Sequence, residues 1–111
     1  MATSDIKFQI ELDEERIPET ITWTATDKPD DAPSNTSAIN ISIWDPADRN
    51  TMRIDLWTKE MPVDEMKRFY IDCLGGMAQS ILNSTGDEFM AQEMNQLCEK
   101  LVEHLKRELK G

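Results

Sequence analysis

The sequence predicts an α+β domain: a four-stranded antiparallel meander followed by two helices packed on one of its faces, a two-layer sandwich spanning residues 1–111. Three observations predict it. Apolar residues alternate with period two through the first half of the chain, the signature of half-buried strands. After Pro62 the apolar period changes to 3.6, the signature of amphipathic helices. The 111 residues, 39% hydrophobic and 31% charged, are enough to bury one core without disulfide or metal.

The strands follow in order. Ile6, Phe8, Ile10 and Leu12 take one face of the first, with Lys7, Gln9 and Glu11 on the other. Ile21, Trp23 and Ala25 alternate with threonines in the second. Ile39, Ile41 and Ile43 alternate with Asn40, Ser42 and Trp44 in the third, and Met52, Ile54 and Leu56 with Arg53, Asp55 and Trp57 in the fourth. β-Branched residues dominate, which favours strand over helix. The connectors are polar. Residues 1–4 are expected to form a flexible N-terminus, and residues 27–36, DKPDDAPSNT, a mobile acidic loop. Asp45-Pro46 opens a turn that Asn50 closes.

Pro62 suits the start of the first helix, with Asp64 and Glu65 in its first turn, where carboxylates complement the dipole. Its apolar face runs from Val63 through Met66, Phe69, Cys73, Met77 and Ile81. Gly75-Gly76 interrupts that face and should weaken or bend the helix. Two readings stand for the pair: close backbone packing against a neighbour, or a hinge. Thr85-x-x-Glu88 fits a capping box for the second helix. That helix carries Phe89, Met94, Leu97, Leu101, Leu105 and Leu109, with basic residues near its end. At about 25 residues it runs about 37 Å, longer than an eight-residue strand at about 26 Å, so its end overhangs the sheet, and two readings stand for it: a homodimer or partner contact, or a fraying terminus.

Charge and chemistry narrow the function. A net charge of −10 repels phosphate and anionic lipid, which argues against nucleic-acid binding and membrane docking and favours basic partners. The N-terminal MATSDIKFQIELDEE has neither the basic start nor the apolar run of a signal peptide, and no stretch approaches the length of a membrane span. The expected compartment is therefore the cytoplasm, where Cys73 and Cys98 read as small buried hydrophobes. The single histidine, His104, reads as a solvated surface residue, and no HExxH, CxxC, Walker or GxGxxG pattern occurs. Asp45, Asp48 and Asn50 offer oxygens to calcium but lack the spacing of an EF-hand. No catalytic residue, cofactor site or metal site is expected, and the protein is read as a non-enzyme.

The tryptophans are the most informative residues. Trp23 shares the parity of Ile21 and is assigned to the core. Trp44 and Trp57 have the opposite parity to their apolar neighbours and point to the other, polar face. A four-residue loop at 46–49 pairs Ile43 with Met52 and Ile41 with Ile54, and so sets Trp44 opposite Thr51 and Trp57 opposite Ala38. The rings then lie about 20 Å apart, two separate anchors. Either a partner or a covering loop accounts for them. Tryptophan is enriched in binding hot spots, so the candidate partner-binding residues are Trp44, Arg53, Asp55 and Trp57.

Three segments, LDEERIPETITWTATD (12–27), RIDLWTKEMPVDEMKRFY (53–70) and NSTGDEFMAQEMNQLCEKLVEHLKRE (83–108), resemble the gliding-motility protein GldC family. The resemblance covers nearly the whole chain, and the block from Trp57 to Phe69 is its specific part. It implies a cytoplasmic accessory protein of the gliding machinery, itself linked to a dedicated protein-secretion apparatus. It also implies a functional partnership with the membrane-attached gliding lipoprotein GldB. It brings no catalytic motif and no site residue. The ββββαα order is also similar, at the level of fold alone, to the export chaperone SecB, which gives the alternative reading of an oligomeric holdase or scaffold.

Overall fold

A computed structural model of the protein describes residues 2–28 and 34–110. The α+β class holds. The strands and the helices form two compact units, Met1–Met61 and Pro62–Gly111.

In the first unit the described residues form five strands, not four: β1 (Ile6–Leu12), β2 (Pro18–Ala25), β3 (Ser34–Thr36), β4 (Ala38–Asp45) and β5 (Asn50–Trp57). They make two antiparallel sheets, β1-β2-β3 and β4-β5, which corrects the expected single meander. The cause is the short strand β3. It lies within the stretch expected to be a loop, and it occupies the edge of β2 that β4 would have needed, pairing Ile21 with Thr36 and Trp23 with Ser34. The chain turns the corner at Ser37, where the Thr36 hydroxyl donates to the Ala38 carbonyl at 3.2 Å, and β4 pairs only with β5. Residues 29–33 of the expected mobile loop, and Met1 of the expected flexible N-terminus, lie outside the described residues.

The β1–β2 register sets Phe8 opposite Trp23 and Ile10 opposite Ile21, as the alternation requires. Asp13 shapes the connection between them. Its Oδ1 accepts the Glu15 and Ile17 N–H groups at 2.8 and 3.0 Å, while Arg16 takes a left-handed backbone (φ 65°). The Thr58 N–H donates to the Ser37 carbonyl at 2.9 Å, continuing the β4–β5 pairing beyond Trp57, and the Lys59 N–H donates to the Pro18 carbonyl of β2 at 3.2 Å, tying the end of β5 to the other sheet. At the centre Ile21 is fully buried, with Ala38, Ile39 and Thr58 also buried. Trp23, assigned to the core, is only half-buried, and the Lys28 ammonium stands 5.2 Å from its ring centroid. That cation–π placement suits a ring with one face open.

The second unit is a helical hairpin of α1 (Val63–Thr85) and α2 (Glu88–Lys110). Pro62 precedes the first turn, and its carbonyl accepts the Met66 N–H at 2.9 Å. α1 continues through Gly75-Gly76 without a break. A Cβ on Gly75 would stand 3.9 Å from the Cys98 Sγ of α2, an ordinary contact, and nothing lies within 4 Å of such an atom on Gly76, so close packing requires glycine at neither position. Small buried Ala78 and Ala91 let the helices approach. Gly86, at φ 73°, ends α1 with its N–H on the Leu82 carbonyl at 2.9 Å, the left-handed closure that glycine adopts without Cβ strain. The cap of α2 is Asp87, not the expected Thr85. The Asp87 Oδ1 accepts the Met90 N–H at 3.0 Å, while Thr85 finishes α1 by donating to the Ile81 carbonyl at 2.6 Å. At the far end the Lys67 ammonium spans both Glu108 oxygens, at 3.0 and 2.9 Å, joining the helices.

Candidate partner-binding face

The β4–β5 ladder builds the candidate site. Its register pairs Ala38 with Trp57, Asn40 with Asp55, Ser42 with Arg53 and Trp44 with Thr51. Side chains directly opposite in an antiparallel pair share a face, and successive ones alternate. Trp44, Arg53, Asp55 and Trp57 therefore stand together on one face, as expected. Ile39, Ile41, Ile43, Met52, Ile54 and Leu56 take the other.

Asp55 is the polar centre. Its Oδ2 receives the Arg53 guanidinium at 2.9 Å, and its Oδ1 the Asn40 amide. Both carboxylate oxygens are thus used, and the Arg53 side chain, 57% exposed, is held by one guanidinium nitrogen on Asp55. Asn40 was not among the candidate residues. The signal that finds it is the cross-strand register, which places an amide opposite a carboxylate. The tryptophans flank this centre at the two ends of the ladder, about 20 Å apart by strand rise. Trp44 is 60% exposed and Trp57 50% exposed. Two half-open indoles around a fixed, partly satisfied ion pair can supply apolar contact and directional hydrogen bonding to another protein.

Elsewhere the polar groups serve structure. The Lys59 ammonium reaches Asp13 Oδ2 and Glu19 Oε1, both at 3.2 Å. The Ile17 N–H, followed by Lys59, holds the Asp13 carboxyl below its ordinary range. Asp13, followed by Glu19, raises the Lys59 ammonium above its own. His104 is exposed and 3.1 Å from Glu108, whose carboxyl is lowered chiefly by Lys67. The Asp45 Oδ1 accepts the Ala47 N–H at 2.9 Å and so belongs to the turn. Among the described residues no group of three His, Cys, Asp or Glu side chains converges as a metal site would need, and no helix is long and apolar enough to cross a membrane. Cys98 and Cys73 are half-buried, less deeply placed than expected, and no disulfide joins them.

A family model described as "Gliding motility-associated protein GldC-like" matches residues 18–107, from the start of β2 nearly to the end of α2. No curated protein and no solved structure matches the chain.

Proposed function

The chain belongs to the GldC-like family of gliding motility-associated proteins, and on that premise we propose that it is a non-enzymatic cytoplasmic accessory protein that binds another protein through the tryptophan-bearing face of β4–β5. The observation that carries this reading is the exposure of Trp44 and Trp57 on the face where Asp55 fixes Arg53. Solvated indoles lower solubility and are placed outward for contact more readily than for folding. The net charge of −10 supports a partner whose contact surface is basic around its apolar centre. The gliding lipoprotein GldB is the partner we propose first.

The test is calorimetric titration of the chain with the soluble part of GldB. Trp57→Ala is expected to weaken binding about 30-fold, the effect of losing one hot-spot indole, with the far-UV circular dichroism unchanged. Equal affinity in a folded Trp57→Ala variant would remove this face from the interface.

A second reading, a holdase for unfolded chains, draws on the helical hairpin, where Tyr70, Met77, Met90 and Leu97 are exposed. Methionine-bearing apolar surfaces adapt to varied clients. Suppression of aggregation of a reduced model client at equimolar ratio supports it, and no suppression excludes it.

A further inference from the structure

β1 is an outer strand: its sheet runs β1-β2-β3, and only β2 pairs with it. The register shows which of its backbone groups face outward. The Thr26 N–H donates to the Asp5 carbonyl at 2.9 Å, and Ile6 stands opposite Ala25. Hydrogen-bonded and non-bonded positions alternate along an antiparallel pair, so Lys7, Gln9 and Glu11 turn their N–H and C=O groups toward β2. Ile6, Phe8, Ile10 and Leu12 turn theirs away from it. Among the described residues no backbone group meets these. A helix has none to offer along its length, because its own N–H and C=O groups are bonded within it. The group that fits such an edge is another strand.

The residues of β1 say which strand. IKFQIEL is complementary to its own reverse. Laid antiparallel to a second copy about Gln9, it sets Lys7 opposite Glu11 of that copy, Phe8 opposite its Ile10 and Ile6 opposite its Leu12. The twofold relation repeats each pair. The backbone agrees with this register. Phe8 and Ile10 both present outward groups, so they exchange hydrogen bonds across the axis. Lys7 and Glu11 then fall at non-hydrogen-bonded positions, where facing side chains stand nearest. Within one chain Lys7 and Glu11 are exposed opposite Thr24 and Thr20, and neither has an ion-pair partner among the described residues.

Charge permits this meeting and selects its register. Two chains of net charge −10 repel each other, yet residues 6–12 hold one lysine and one glutamate and are neutral. A slip of two residues one way sets Glu11 opposite Asp5. A slip the other way sets Lys7 opposite Asp13, whose carboxylate is already held by Lys59 and the Ile17 N–H. In the register about Gln9, Asp5 meets that same Asp13 beyond the strand end, with the Lys59 ammonium 3.2 Å away to offset it. The extra residue at this end, Glu19, belongs to β2, so β1 itself runs on regularly to Leu12.

We infer that a second copy of this chain pairs with the open edge of β1, antiparallel about Gln9, and joins the two β1-β2-β3 sheets into one. β1 lies outside the residues 18–107 that the family model matches, so the inference concerns this chain and not its family. It does not rest on the adaptor reading, which uses β4 and β5.

The experiment is sedimentation velocity on the full chain from about 1 μM to about 100 μM, reading mass. About twice the 12.8 kDa of one chain is expected. Lys7→Glu sets carboxylates against each other at both symmetric positions and should raise the dimer dissociation constant at least about tenfold. Glu11→Lys should do the same with ammonium groups. The double variant Lys7→Glu/Glu11→Lys remakes both pairs in reversed order and should return the constant to within about threefold of the natural one. Gln9→Cys, at the axis with Cα atoms about 4.5 Å apart, should crosslink under oxidised glutathione. Lys7→Cys, about 13 Å from its twofold mate, should not. A monomer throughout the range overturns the inference. So does a dimer that both single reversals leave intact, or a double variant as weak as the single ones. A Gln9→Cys chain that crosslinks no faster than the natural chain, with its Cys73 and Cys98, overturns it as well.

Discussion

A Cβ built on Gly75 of α1 stands 3.9 Å from the Cys98 Sγ of α2, an ordinary van der Waals distance. The hairpin therefore holds its helices close at this point without needing glycine there. At Gly76 a Cβ meets nothing within 4 Å. Glycine in a helix interior costs about 1 kcal/mol relative to alanine. Gly76→Ala is expected to stabilise the protein by about 1 kcal/mol, and Gly75→Ala by a similar or smaller amount. Urea denaturation midpoints at constant m-value check both. Destabilisation by Gly76→Ala would show that its surface is covered by another body.

The cap of α2 makes a sharper distinction. Asp87→Ala removes the acceptor of the Met90 N–H and is expected to cost about 1 kcal/mol. Glu88→Ala, which a capping box headed by Thr85 would make equally costly, should change stability by less than about 0.5 kcal/mol. Thermal melts of the two variants side by side decide which residue caps the helix.

That cap shows where the sequence was legible and where it was not. Thr85 and Asp87 are both good N-cap residues, and the choice falls to Gly86, which closes α1 after Thr85 and leaves Asp87 as the first residue able to start α2. The β4–β5 ladder was fully legible, with Ile43 opposite Met52 and Trp57 opposite Ala38, because strict alternation permits only one register across a short turn. The same logic placed all four candidate site residues on one face. The split into two sheets was not legible. Ser34-Asn35-Thr36 pairs with β2 through its backbone, and three polar residues carry no apolar period to announce a strand. Nor could periodicity show that Asp13 would fold the β1–β2 connection around its own carboxylate.

Acid should act on that connection. The Asp13 carboxyl lies below its ordinary value of 3.8 in the folded protein, through the Ile17 N–H first and Lys59 after it. A lowered folded value means stability that is present above 3.8 and lost as pH falls through the folded value. Glu108, lowered from 4.5 chiefly by Lys67, contributes in the same sense on the hairpin. Lys59 is raised above 10.5, chiefly by Asp13, so its contribution is complete below 10.5 and disappears only as pH rises past the folded value. Melting temperatures between about pH 2 and pH 5 should therefore fall less steeply for Asp13→Asn than for the natural chain. A parallel acid limb in the two proteins would mean that Asp13 titrates alike folded and unfolded.

The spacing of the tryptophans yields the last expectation. Trp44 and Trp57 sit at opposite ends of the ladder, about 20 Å apart, with the Asn40–Asp55–Arg53 network between them. Sites more than 7–10 Å apart without shared partners contribute additively. If each indole anchors the same partner, the two alanine variants should each weaken binding by about 2 kcal/mol, and the double variant by about 4 kcal/mol, roughly a thousandfold. A double variant no weaker than either single one would mean that the partner engages as a unit and releases both ends when one anchor is lost. A loss confined to Trp57→Ala would shorten the interface to the end of the ladder at Ala38, where β5 runs into the buried Thr58.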